Sequence, residues 1–400
     1  MMADTLTAAL PELVAARLVA RNVCSRPFFE RESERLAHTC QQMAERFLRG
    51  GRLLAFGRGA SATDAQHVSV EFVHPVLVGK RALPALDLSA AFEDWIPALA
   101  GPDDIVMGFA PPTGDPLVDR TLAAARASGA QTLALPGPSA DFAIAAPAQD
   151  PFISQELIEV LYHTLWETVH VFFEHRERGH EDVGASAFLY PFLGAGRQDS
   201  SHLLAEVAAS IAAKARDDER LRHEVAHDQS AAIAEAADAA KARLDAGATM
   251  LVFGNGGSAT DANDWAIDCV SPPTGGAAIR AVSLSMEPAN ITAIANDIGR
   301  EAIFLRQLIA HGRTGDVAVA ISTSGGSTNL IAALEEARRR GMLTIALLGY
   351  DGGEIARRGL ADLPIVVRCD YIPRIQEVQA SIYHIMIEVW RSRATRGRAA

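Results

Sequence analysis

The chain has 400 residues, a hydrophobic share of 49%, a charged share of 22% and a formal net charge of -12. That length suits two domains, each with its own core, and the composition leaves no long stretch to disorder. The acidic balance speaks against a nucleic-acid surface, although a local basic pocket for a small anion remains open. The sequence shows neither an apolar run long enough to span a bilayer nor a signal-peptide pattern at its start, which together predict a cytoplasmic protein with no membrane partner. Cys24, Cys40, Cys269 and Cys369 have no CxxC spacing and read as reduced thiols.

In chain order the elements come in two similar runs. Helical sequence at 31–51 leads to the short apolar strand RLLAFG at 52–57, and helical sequence at 203–226 and 229–247 leads to TMLVFG at 249–254. A glycine-serine turn follows each strand: GRGASATDAQH at 57–67 and GNGGSATDAND at 254–264 share the string SATDA. The next helix carries His67 and Glu71 in one run, Asp264 and Asp268 in the other. Then come strands near PALDLS and RAVSLS, the strands DDIVMGFA and GDVAVAIS, a small-residue helix, and QTLALPG or LTIALLGYDGG. Each run closes on a long helix with glutamine and histidine eight residues apart, Gln155 and His163 in one and Gln376 and His384 in the other. Apolar strands alternating with helices predict an α/β fold, a parallel sheet flanked by helices on both faces, present twice. We expect an N-terminal domain over 1–185, a linker over 186–200 and a C-terminal domain over 201–400.

Two loops of the second run suit an anion. GNGGS runs from a strand into a helix, so backbone N–H groups and a helix N-terminus are available. Its spacing is neither GxGxxG nor GK[ST], which excludes the common dinucleotide and nucleotide fingerprints. VAVAISTSGGSTNL sets Ser322, Thr323, Ser324 and Ser327 between strand and helix, where hydroxyls and N–H groups suit a phosphoryl group. The plainer reading is a turn whose hydroxyls cap the next helix.

With GNGGSATDA, ANDIG followed by EAIFLRQ, ISTSGGSTN, LLGYDGG and RIQEVQASIYH in this order, residues 200–395 resemble the phosphoheptose isomerases of the sugar isomerase (SIS) domain family. The resemblance implies two tandem SIS domains, flavodoxin-like three-layer sandwiches, with a degenerate N-terminal copy. It implies interconversion of sedoheptulose 7-phosphate and D-glycero-D-manno-heptose 7-phosphate through an enediol, with a divalent metal, zinc being the usual one. Phosphate would be held around Ser322, Thr323, Ser324 and Ser327. Asn255, Gly256, Ser258, Asn296, Asp297 and Gln376 would contact the rest of the sugar. Family members are oligomers with active sites between subunits, so a homo-oligomer is expected, a dimer giving four SIS domains.

The family's helix pair of histidine and glutamate four residues apart is intact as His67 and Glu71 in the first run, but has become Asp264 and Asp268 in the second. Conversely, the first run has FAPPTGD in place of ISTSGGS; its prolines lack N–H groups and Asp115 opposes an anion. Glu71 and Gln155 are 84 residues apart, Asp268 and Gln376 108 apart, a shortfall that falls mainly on the ANDIG region. We therefore expect one composite site: metal on His67, Glu71, Gln376 and His384, with Glu71 and His384 as catalytic acid–base groups. Singly, His67 and Glu71 read as a surface histidine and a solvated carboxylate; recurrence in register lifts them above that. A non-catalytic phospho-sugar-binding regulatory or assembly protein is the alternative.

Overall fold

The computed structural model describes residues 2–76, 80–177 and 200–396. The expected linker, 186–200, lies outside the described residues except for its last position. The chain divides into two compact units, each described by itself: a first unit of Asn22–Glu219, and a second of Met1–Arg21 with Arg220–Ala400.

After the chain's first helix, α1 (Met2–Ala20), the first unit runs α2 (Asn22–Leu48), β1 (Leu53–Phe56), α3 (Ser61–Val73), β2 (Ala85–Asp87), α4 (Phe92–Leu99), β3 (Ile105–Phe109), α5 (Pro116–Ala127), β4 (Gln131–Leu135), β5 (Phe142–Ala143) and α6 (Pro151–Glu177). It also takes the leading part of α7 (Ser200–Asp228). All strand pairs are parallel, in the order β2-β1-β3-β4-β5.

The second unit contains α1 (Met2–Ala20), the remainder of α7, α8 (Ser230–Asp245), β6 (Met250–Gly254), α9 (Gly257–Val270), β7 (Ala281–Ser283), α10 (Pro288–Asp297) and α11 (Ile303–His311). It continues with β8 (Val317–Ser322), α12 (Thr328–Arg339), β9 (Leu343–Gly349), α13 (Gly353–Arg357), β10 (Leu363–Val367) and α14 (Ile372–Arg396). Its parallel order, β7-β6-β8-β9-β10, repeats that of the first sheet. The chain thus carries one doubly wound fold twice.

The central strands β1, β3, β6 and β8 are buried along their whole length, as an apolar strand covered on both faces must be. Side-chain ties recur in both sheets and explain why certain polar residues stand beside apolar strands. Asp104 and Asp316 each accept from the backbone N–H that opens the preceding strand of the order, Arg52 N at 2.9 Å and Thr249 N at 2.8 Å. Asp141 and Asp362 likewise accept from Thr132 N and Thr344 N, at 2.9 and 3.0 Å. These bonds satisfy N–H groups that the edge of a parallel ladder leaves over.

Three features differ from the element order read in the sequence. Each sheet has a fifth strand, β5 and β10; the first is two residues long and the second carries a proline, so neither has a clear period of its own. Between the second and third strands, the first unit has the single helix α4, where the second has α10 and α11. Finally, compactness crosses the expected boundary. Helix α1 joins the second unit, where Arg21 pairs with Glu388 at 2.9 Å. Leu203, Val207 and Ile211 of α7 join the core of the first unit with Phe28, Leu161 and Trp166. Long amphipathic helices dock wherever an apolar face awaits them, which local sequence does not specify.

Candidate functional site

In an open sheet of order 2-1-3-4-5, a ligand crevice forms at the carboxyl ends of the strands where the winding reverses. In the second unit that point lies between β6 and β8, and the loops leaving them are those singled out above. Gly254 is locked by its surroundings: a Cβ there would lie 2.3 Å from the Ser258 carbonyl oxygen. Gly256 has φ +57°, a conformation glycine adopts without strain. Ser285 accepts from Gly254 N at 3.2 Å and donates back to Gly254 O at 3.1 Å. The Asn255 and Asn329 amides exchange reciprocal hydrogen bonds at 3.1 and 2.8 Å, tying the turn after β6 to the start of α12.

The loop after β8 is held from within. Ser322 accepts from Gly325 N at 3.0 Å, and Ser324 accepts from Gly326 N at 3.3 Å. Ser327 stands at the N-cap position of α12, yet its side chain makes no cap bond. The capping reading therefore fails at the residue best placed for it, since the Ser327 oxygen accepts from no N–H of the helix start. Gly325 (φ +60°) packs backbone against backbone on the Gly352–Gly353 turn, where a Cβ would meet the Gly352 oxygen at 2.1 Å. Hence LLGYDGG is a buttress for the loop before it. Ser324 also lines a cavity of about 830 Å³ with Tyr350, Arg368 and Cys369. Asn296 and Asp297 lie on α10, which buries none of its residues, and the Asn296 amide donates to Asp297 at 2.8 Å.

The first unit fills the equivalent loop itself. Asp115 caps α5, accepting from Leu117 N at 2.8 Å, and pairs with Arg58 at 3.1 Å. Arg58 stands where the second unit has Asn255. A carboxylate at the helix start, matched by its own arginine, supplies the negative charge that a bound anion would bring.

The titratable residues gather by unit. In the first, His67 Nε2 lies 3.3 Å from His163 Nε2 and 3.8 Å from Glu71 Oε1, all three side chains being buried. Burial, then the neighbouring Glu167, pushes the Glu71 carboxyl up to about 8. Glu71 Oε2 accepts no hydrogen bond. Gln155 donates to Asp64 Oδ2 at 3.2 Å, at the start of α3. In the second unit, His384 Nε2 lies 3.3 Å from Asp264 Oδ2 and 3.4 Å from Asp268 Oδ2. Burial, then Asp264, raises Asp268 to about 7, against the pull of His384. The expected set of His67, Glu71, Gln376 and His384 draws on both units. Within the units, His67 and Glu71 meet His163, whereas His384 meets Asp264 and Asp268; Gln376 is buried two turns before His384 on α14. His163 stands outside the ligand set expected from the sequence, although the recurrent glutamine–histidine spacing marks it.

Could these residues hold a divalent metal? Donors around a tetrahedral ion with bonds of ~2.0–2.2 Å lie ~3.3–3.6 Å apart. In the cluster of His67, Glu71 and His163 the two ring nitrogens are 3.3 Å apart, Glu71 Oε1 lies 3.8 Å from His67, and the three ligand atoms lie within 4.8 Å of one another. Two imidazoles and a carboxylate with an unbonded oxygen fit the donor preferences of zinc.

Parallel doubly wound sheets with a hydroxyl-rich loop at a switch point define a class, the doubly wound α/β proteins whose loops can seat an anion. Comparison with known proteins narrows it. The SIS domain family matches residues 215–349. The chain is 41% identical over 188 residues to the phosphoheptose isomerase of Citrifermentans bemidjiense, covering 47% of this chain and 95% of that one. It is 41% identical over 160 residues to that of Rhodospirillum rubrum, covering 40% and 84%. A solved structure from Salmonella typhimurium described as a sugar binding protein shares the fold at 10% identity and TM-score 0.55, covering 94% of this chain and 99% of that one. The chain belongs to the phosphoheptose isomerases of the SIS domain family.

Proposed function

We propose that the chain is an aldose–ketose isomerase of a sugar phosphate, with sedoheptulose 7-phosphate and D-glycero-D-manno-heptose 7-phosphate as the pair interconverted. The observation that carries this reading is the loop Ser322–Ser327: hydroxyls at a strand–helix junction, with Ser327 uncommitted to capping. Relatives 41% identical to it bear the name phosphoheptose isomerase.

In this reading Ser322, Thr323, Ser324 and Ser327 seat the phosphate, far from the reacting carbons, so that its binding energy orients the sugar. Ser258 and the Asn255 amide line the turn beside it, and Asn296 with Asp297 is offered to the hydroxyls from α10. Isomerisation needs a proton moved between adjacent carbons, for which a carboxyl tuned towards neutrality is suited. Glu71, at about 8, and His384 are the proposed proton-moving groups. His67, Glu71 and His163 would hold a divalent metal, which when bound would polarise a carbonyl oxygen. We further propose that the protein works in the cytoplasm as a homo-oligomer.

The test is direct. Metal-loaded protein mixed with sedoheptulose 7-phosphate should give the aldose, and Glu71→Gln should lower kcat at least ~100-fold while phosphate binding survives. Replacing Thr323 by Val and Ser324 by Ala together should raise KM. Binding of the sugar phosphate without turnover would instead support a regulatory phospho-sugar sensor, a reading favoured by the Asp264 that replaces the family's histidine.

A further inference from the structure

The second unit departs from its family at the very helix that should carry histidine and glutamate, and the departure is not a loss of donors. Asp264 and Asp268 are one turn apart on α9, and both side chains point at His384 of α14. We propose that these three residues form a cation site of their own, one that takes a harder divalent ion such as Mn2+.

Four observations carry the proposal. The separations, 3.3 and 3.4 Å from His384 Nε2 to the two carboxylate oxygens, match the edges of a coordination shell and are long for charge-assisted hydrogen bonds. The ligand atoms lie within 4.8 Å of one another, and the three residues are 3%, 0% and 0% exposed. Neither oxygen of Asp268 accepts a hydrogen bond, a costly state for a buried carboxylate that a cation would relieve. The cluster is also supported from behind. Tyr383 donates to Asp264 Oδ2 at 2.8 Å, and Trp265 stacks on Tyr383 with ring centroids 5.4 Å apart. Such outer bonds orient metal ligands and tune their affinity.

Two carboxylates and one imidazole make a harder donor set than the two imidazoles and one carboxylate of the first unit. One chain would then carry two cation sites of different preference, three protein ligands each. Arg391 also acts on Asp268, but it is held at the backbone carbonyls of Gly275 and Ala277. While the cation is bound, His384 is a ligand through Nε2, and the proton transfer proposed above rests on Glu71.

The experiment counts metal and needs no substrate, so its outcome is separate from that of the isomerase assay. Full-length protein is stripped with chelator, reloaded with Mn2+ alone, and analysed for bound metal and its electron paramagnetic resonance spectrum. Asp268→Asn should lose one equivalent per chain and one spectral component, and Glu71→Gln, which removes a ligand of the first-unit cluster, should leave that component in place. Tyr383→Phe, which removes no ligand, should weaken the same component ~10–100-fold, and it carries the test should the Asp268 variant not fold. Unchanged stoichiometry and affinity in the Asp268 and Tyr383 variants would overturn the proposal.

Discussion

His67 Nε2 and His163 Nε2 face each other at 3.3 Å, one ring from α3 and one from α6. At that distance one ring nitrogen can donate its N–H and the other accept it. Glu71, 3.8 Å from His67, completes a buried trio.

Glu71 makes the first prediction. Its folded-state value, raised by burial from 4.5 to about 8, means that the native state holds a proton the unfolded chain releases. Metal-free protein should therefore lose stability as pH climbs from about 4.5 to about 8, by at most on the order of 5 kcal/mol, and level off above. Urea titrations across that range check the slope; Glu71→Gln should flatten most of it.

The loop buttress makes the second. Gly325→Ala combines a left-handed backbone with a Cβ 2.1 Å from the Gly352 oxygen. The loop must shift, so phosphate affinity should fall by a factor of ten or more with a stability cost of about 1–3 kcal/mol. Isothermal titration with inorganic phosphate and thermal melting read the two effects.

In the first unit, Asp115→Ala removes both the cap of α5 and the partner of Arg58. Stability should fall by about 0.5–2 kcal/mol, the usual worth of a cap. Phosphate affinity at the Ser322–Ser327 loop should not change, which a titration of the same variant verifies.

Lys214 and Glu167 form an ion pair in which both side chains are buried. Lys214→Met would leave Glu167 charged or force it to take up a proton. A loss of about 3–5 kcal/mol is expected from chemical denaturation. A near-neutral result would mean that α7 does not dock on α6 as described.

Much was legible because it repeats. SATDA, the D-[IV]-V strands and the glutamine–histidine spacing occur twice, and parallel sheets advertise themselves as apolar strands between helices. The fifth strands escaped notice because two residues, or five with a proline among them, carry no period. The pairing of Asp115 with Arg58 also escaped, since the residues are 57 positions apart and nothing local links them. The sequence reads Asp115 as opposing an anion, and its bond to Leu117 N adds what local sequence did not show, that the carboxylate serves the helix start itself.

By itself the sequence determined the repeated α/β plan, the family resemblance and the hydroxyl loop, because these depend on periodicity and short spacing along one strand–loop–helix unit. Only the tertiary structure decided which donors meet. A histidine on the last helix of a run can reach the helix after the glycine turn only through packing across the sheet's face. That packing sets His163 against His67 and His384 against Asp264 and Asp268. It also assigned α1 and the head of α7, since an amphipathic helix takes its place from the apolar surface that receives it.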